Sequence, residues 1–352
     1  MKKINNLTVL IFVIVGLTSC FSCSNKKSII TPASTGVPYE VLIIADVEDF
    51  QSVAVDAIIE VLSSDIPGLP RSERAFKISK VNTKDFYRTL RFCRNIVIVN
   101  IDKIYSQTKF KYSRDVYSSP QMIMTIQAPD AESFSNFVSA NEQVIVDFFT
   151  KAEMNREIDR LKSKHNLYVK EQLKKMFDCE VWVPMELAKY KNGKNFFWAS
   201  TDGGERDMNF IVYSYPYTDI NTFTPEYFFH MRDSVVRVNI PGPREGQYMS
   251  TPRPYVVVRD GEVKGKYAQI ARGLWEMVNY DMGGPFISIS RVDEKNQRVV
   301  VVEAFIYAPG YNQGNLIRRM EAALYTLRLP DELEEINFSY DIEEITIVSE
   351  QQ

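Results

Sequence analysis

Two short runs constrain the fold more than anything else in the chain. They are Tyr39 to Ala45 (Tyr-Glu-Val-Leu-Ile-Ile-Ala) and Asn95 to Asn100 (Asn-Ile-Val-Ile-Val-Asn). Each is short, almost continuously apolar and rich in β-branched residues, the pattern of a strand covered on both faces. After the first run, Asp46 to Asp49 can cap a helix in which Val53, Ala57, Ile58, Val61 and Leu62 recur at helical spacing. Pro67, Gly68 and Pro70 break the chain, Phe76 to Val81 alternates as a strand, and Thr83 starts a short helix to about Phe92. After the second run comes a polar, Tyr-rich loop, a strand at Gln121 to Gln127, and an amphipathic helix opened by Pro129-Asp130 and running through Phe148. Alternating strands and helices predict an α/β layer domain over residues 38–150.

Lys151 to Lys175 is charged, carries apolar residues such as Ile158, Leu161 and Leu173, and lacks Gly and Pro. It reads as a long, partly exposed connecting helix, with bounds 151–178. The pattern then changes. Glu180–Val183, Asn195–Ser200 and Asn209–Tyr215 read as short strands, with Asn192-Gly193 as the turn between the first two. Thr224-Pro225 caps a helix to about Arg237. Tyr255–Arg259, Phe286–Arg291 and Arg298–Tyr307 are strands, Gly265–Val278 is a strand or a helix, and a helix spans about Asn312–Leu327. Ile345–Val348 reads as a final strand in an acidic C-terminus. Strands followed by helices predict a second, α+β domain over 179–352, an antiparallel sheet with helices on one face. The whole is α/β plus α+β: an N-terminal α/β layer domain followed by an antiparallel-sheet α+β sandwich domain. The opening of the second half, a strand, Pro184, a hairpin and an aromatic strand, is loosely similar to the αβα sandwich of the PsbP and Mog1 type.

The N-terminus specifies location. Lys2 and Lys3 precede the apolar stretch Leu7–Gly16. That stretch is too short to span a bilayer, which takes about 20 residues, but suits a secretory signal. Leu17-Thr18-Ser19-Cys20 resembles the lipobox of bacterial lipoproteins, in which the Cys thiol accepts diacylglycerol. Residues 1–19 are thus read as a signal peptide, Cys20 as the lipidation site, and residues 20–37 as a lipidated flexible tether. Cys20-Phe21-Ser22-Cys23 has redox spacing but sits at the cleavage site, outside any folded domain. The membrane is then a partner through the lipid on Cys20, and the body is expected in the periplasm.

Composition removes several chemistries. Loss of Lys2 and Lys3 with the signal leaves a net charge of 42 − 2 − 45 = −5, which argues against a nucleic-acid partner. His165 and His230 each lack a second His or Cys at ligand spacing, so no metal and no cofactor is expected. Cys93 and Cys179 are either paired or two buried thiols. Gly261 to Tyr267 is one residue short of a phosphate loop and has Tyr267 where Ser or Thr would bind magnesium, so it reads as a hairpin. Asp46, Asp49 and Asp102 follow strands, where open sheets bind ligands, but helix capping and loop solvation are the plainer reading. Asp202, Glu205 and Asp207 offer a carboxylate cluster for acid–base work on a glycan; a solvated turn is the plainer reading. No catalytic residue is assigned.

One region is distinctive: Asn239-Ile-Pro-Gly-Pro243, Gln247-Tyr248-Met249, Arg272-Gly-Leu-Trp275 and Met282-Gly-Gly-Pro-Phe286. With the lipobox, it resembles family 4837 of the domain-of-unknown-function series, bacterial envelope lipoproteins, over nearly all of the mature chain. The resemblance implies a lipid-anchored body and no known activity. Tyr248, Met249, Arg272, Trp275, Gly283, Gly284 and Phe286 are the candidate binding residues, because they combine a cation, an indole and glycines that let backbone approach a ligand. The competing reading is a buried core with Arg272 in an internal ion pair. The functional expectation is an envelope protein that binds a protein or glycan partner, with an Asp/Glu-dependent hydrolase of envelope glycan or lipid as the alternative.

Overall fold

A computed structural model describes residues 31–201 and 203–333. The expected signal peptide, Cys20, most of the expected tether, Asp202 and the strand expected at Ile345–Val348 lie outside the described residues. The protein is a mixed α/β structure built on two sheets.

In the first half the elements are β1 (Glu40–Ala45), α1 (Val53–Leu62), β2 (Lys77–Asn82), β3 (Asn95–Ile101), β4 (Lys109–Arg114), β5 (Met122–Ala128), α2 (Ala131–Ala140) and α3 (Glu142–Ser163). The sheet order is β2-β1-β3-β5-β4, parallel except for β4 at one edge. One face, with Val41, Ile43, Val97, Met124 and Ile126, packs against the three helices. The other, with Leu42, Ile44, Ile96 and Ile123, is covered by Phe86, Leu90 and Tyr117 from loops and 3-10 turns. That two-sided burial is why both runs are apolar at consecutive positions. β4 was expected to be loop; as an edge strand it is largely exposed, and its Lys-Phe-Lys-Tyr-Ser-Arg sequence carries little apolar signal.

Part of the stretch expected as a tether is held in place. Residues 32–35 lie along the sheet end, with the Ser34 and Thr35 amides donating to Ser119 and Phe92 and the Arg94 and Ser119 amides donating to Thr35 and Pro32.

The helical stretch is divided differently from the sequence reading. A break at Asn141, whose side-chain amide donates to the Phe137 carbonyl, separates α2 from α3. A second break precedes α4 (Leu167–Phe177), where the Asn166 side chain accepts from the Val169 amide as an N-cap. Asn competes for backbone groups and so ends helices without Gly or Pro. Helix α3 serves both halves: Ile145, Phe148 and Phe149 enter the first core, and Leu161 enters the second.

The second half contains β6 (Lys189–Gly193), β7 (Phe196–Ser200), β8 (Asp207–Pro216), α5 (Pro225–Asn239), β9 (Tyr248–Ser250), β10 (Val256–Val263), β11 (Lys266–Val278), β12 (Tyr280–Asp293), β13 (Arg298–Tyr307), α6 (Gly314–Leu324) and α7 (Pro330–Leu333). The antiparallel order is β10-β11-β12-β13-β8-β7-β6, with β9 beside β11. Helices cover both faces rather than one. α4 and α6 pack on the face bearing Ile270, Ile287 and Val302, and α5 packs on the face bearing Tyr213, Trp275 and Phe286. The strands are correspondingly apolar on both faces; β13 is buried from Val299 to Ile306.

The turns also shift. Lys194-Asn195 forms the β6–β7 turn with Asn195 at φ 53°, while Gly193 is in β6, where a Cβ would lie 2.6 Å from the Asn239 side chain. Lys264-Gly265 closes the β10–β11 hairpin, with both residues at positive φ. Glu180–Val183 forms no strand; Glu180 makes an isolated bridge to Arg328.

The halves are joined through α6. Glu73, from the first half, accepts the Gln313 and Gly314 amides at 2.7 and 2.9 Å. It thus caps α6 from outside, and a carboxylate there also suits the helix dipole. Replacing Glu73 with Ala is expected to lower stability by about 1–2 kcal/mol, measured by urea unfolding; an unchanged midpoint would contradict this role.

Candidate functional site

The seven candidate residues do not form one surface. Side chains alternate along a strand, so Arg272 and Trp275, three positions apart on β11, lie on opposite faces. Trp275 is 2% exposed, and its indole N–H donates to the Ile306 carbonyl at 3.1 Å. It pairs across the ladder with Gly284, whose missing Cβ leaves room for the Ile306 carbonyl and the indole. A Cβ on Gly283 would sit 2.8 Å from the Trp275 carbonyl. The two glycines lie within β12 and serve strand packing instead of forming a turn. Phe286 and Met249 are buried beside Arg232, whose guanidinium lies 4.0 Å from the Phe286 ring centroid. Tyr248 is half-buried, with the Arg237 guanidinium 4.4 Å from its ring centroid.

Arg272 reaches the opposite layer. It ion-pairs with Glu321 of α6, and its stem lies over Gly68, where a Cβ would come within 2.7 Å. The Arg272–Glu321 pair is mostly buried, with side chains 16% and 10% exposed. Arg272→Ala is expected to lower stability by about 1.5–3 kcal/mol, the range for a charged hydrogen bond, read from the denaturant midpoint. An unchanged midpoint would restore Arg272 as a residue held for binding alone.

The other sequence candidates are engaged locally. Tyr311 donates its hydroxyl to Glu205, and Asp207 accepts the Thr201 hydroxyl at 2.5 Å. Asp102 accepts the Ile104 amide, and Asp130 caps α2. Burial raises the Asp49 pKa, with Asp46 and Glu48 adding to it. Among the described residues no group of three or more His, Cys, Asp or Glu is placed to hold a metal ion. Cys93 and Cys179 are both free thiols; burial pushes Cys179 up to about 12.

What the fold does build is a cleft where the halves meet, a preferred location for ligand sites. It is a cavity of about 750 Å³. Its walls are the end of α1, the edge strand β2, the loop before β2, and the first turns of α6. A second cavity of about 560 Å³ also spans the halves, lined by Lys151, Arg259 and Arg272. Arg318 of α6 lines both.

Arg318 is 5% exposed. Its Nη1 donates to the Ala75 carbonyl at 2.8 Å and its Nη2 to Asn315 at 2.7 Å. The guanidinium stacks over the Tyr39 ring, 3.3 Å from the centroid. Tyr39 holds φ 61°, an uncommon backbone state for a residue with a side chain. Burial lowers the Arg318 pKa and raises that of Tyr39; Tyr39 and Glu321 oppose the fall at Arg318. A guanidinium nevertheless stays charged. No carboxylate of the described residues lies within ion-pair distance of it, in contrast to Arg232, Arg272 and Arg291. Sequence reasoning passed over Arg318 because it sits in an ordinary amphipathic helix. Its one signal is a cation adjoining Ile317 and one turn from Glu321 and Ala322, on the side of the helix that packs inward.

Comparison with known families divides the chain at the same place as the helices do. Residues 166–326 match the model described as Domain of unknown function (DUF4837). Residues 34–162 match a different one, Domain of unknown function (DUF8532). The resemblance read from the sequence therefore holds for the second half and does not extend over the mature chain. The gap between the matches, 163–165, coincides with the break between α3 and α4. No curated protein matches the chain. Among solved structures, the Saccharomyces cerevisiae Ran-binding protein Mog1p is similar over 43% of this chain and 90% of its own, at 7% identity and a TM-score of 0.28.

Proposed function

We propose that the protein is a bacterial envelope lipoprotein, anchored through Cys20 with its body in the periplasm, and that the body is a binding module whose site is the cleft between its two halves. The lipobox Leu17–Cys20 and the preceding apolar stretch support the anchoring. Among the described residues no helix is long and apolar enough to cross a membrane.

The observation that carries the binding reading is Arg318. A buried cation without a carboxylate is costly to keep, and this one is shared by two cavities that both halves line. Amide hydrogen exchange tests the reading. Segments 63–78 and 312–318 should exchange more slowly in native membranes than in the purified, detergent-held protein, while β4 is unchanged. Equal exchange of the cleft segments in both settings would refute the cleft as the site.

A further inference from the structure

We infer that the larger cleft binds a phosphoryl group, carried on a soluble ester or on a lipid headgroup. The inference rests on reading the cleft as a binding site and names its ligand class. Arg74, Lys77, Lys80 and Arg318 line the cavity against a single carboxylate, Glu73. That carboxylate is already committed to the Gln313 and Gly314 amides. Lys77 is balanced by Glu40 at 3.1 Å, but Arg74, Lys80 and Arg318 have no carboxylate within ion-pair distance among the described residues. In a chain whose net charge is negative, three uncompensated cations on one cavity wall are a local reversal of sign.

Two buried polar groups in the same wall also lack protein partners: Nε of Arg318 and the Ser63 hydroxyl. Buried donors are normally satisfied. Arg318 uses only two of its five N–H groups on protein acceptors. A guanidinium edge, a hydroxyl and two exposed cations come from α6, the residue after α1, β2 and its preceding loop, so they approach from different directions; of these, Lys80 also donates to the Phe50 carbonyl at 3.5 Å. That arrangement suits a tetrahedral group with several oxygens better than a planar carboxylate, which a single guanidinium fork would satisfy.

The test uses the full mature chain carrying Cys20→Ala, so that no attached lipid masks the readout. Calorimetric titration with glycerol 3-phosphate, in matched chloride, should show saturable binding that citrate does not reproduce. Flotation with phosphatidylglycerol vesicles, against phosphatidylcholine vesicles, reads the headgroup source. Binding in either arm, weakened at least tenfold by Arg74→Gln with Lys80→Gln, supports the inference. These two residues are exposed, so the double variant should fold; Arg318→Met, which keeps the stem, should lose binding altogether. Absence of binding in both arms, equal affinity for citrate, or full affinity in the double variant would overturn it. If the cleft is protected in native membranes yet neither arm binds, the phosphoryl assignment fails and the cleft reading survives.

Discussion

Arg232→Ala is expected to destabilise the protein by about 3–5 kcal/mol, the cost of leaving one member of a buried ion pair alone. Arg232 of α5 and Glu303 of β13 are both fully buried, and Nε and Nη2 of the guanidinium meet the carboxylate at 2.7–3.1 Å. Nη1 donates to the Thr251 hydroxyl at 2.6 Å, which in turn donates to Asp233. Removing the guanidinium strands Glu303 in the layer between α5 and the sheet, where burial already raises its pKa against the pull of Arg232. At about 2–4 °C per kcal/mol for a domain of this size, the melting temperature should fall by roughly 10 °C. Arg232→Met combined with Glu303→Leu should recover much of the loss, because replacing both partners by apolar groups removes the stranded charge. A single variant that melts with the wild type would contradict the pair's placement.

Cys20→Ala is expected to let a high-salt wash, which screens headgroup contacts, release the protein from the membrane fraction. Stable attachment takes two acyl chains, and a diacylated N-terminus supplies them. Residues 32–35, at the end of the proposed tether, are held to the sheet end by backbone hydrogen bonds. A Cys20→Ala protein that stays with membranes after a salt wash would refute the lipoprotein proposal.

The sheets were legible from sequence where burial made them so. β1 and β3 announce themselves because both faces are covered, and β12 and β13 for the same reason. The edge strand β4 was hidden because exposure leaves it polar, and the two helix breaks because Asn141 and Asn166 act through side-chain bonds that composition does not reveal. The candidate site fared differently. Arg272, Trp275 and the Gly283-Gly284 pair were conspicuous as residue types, yet strand alternation sends the cation and the indole to opposite faces. The glycines make room for Trp275. The cleft was illegible because it is assembled from residues about 240 apart in sequence: the loop 63–76 and the start of α6 meet only through contacts such as Glu73 on Gly314 and Arg318 on Ala75. No local pattern encodes that meeting.

The most direct test of the cleft as the binding site is photo-crosslinking from a reactive side chain placed at Val37, an exposed residue of the cleft lining, in the membrane-anchored protein in intact envelopes. The same group at Lys103, on an exposed loop remote in sequence from the cleft lining, is the control. The account predicts a discrete adduct from position 37 that is absent from position 103 and lost when Arg318→Met is added. Identical adducts from both positions, or an adduct at 37 that survives Arg318→Met in a folded protein, would contradict it.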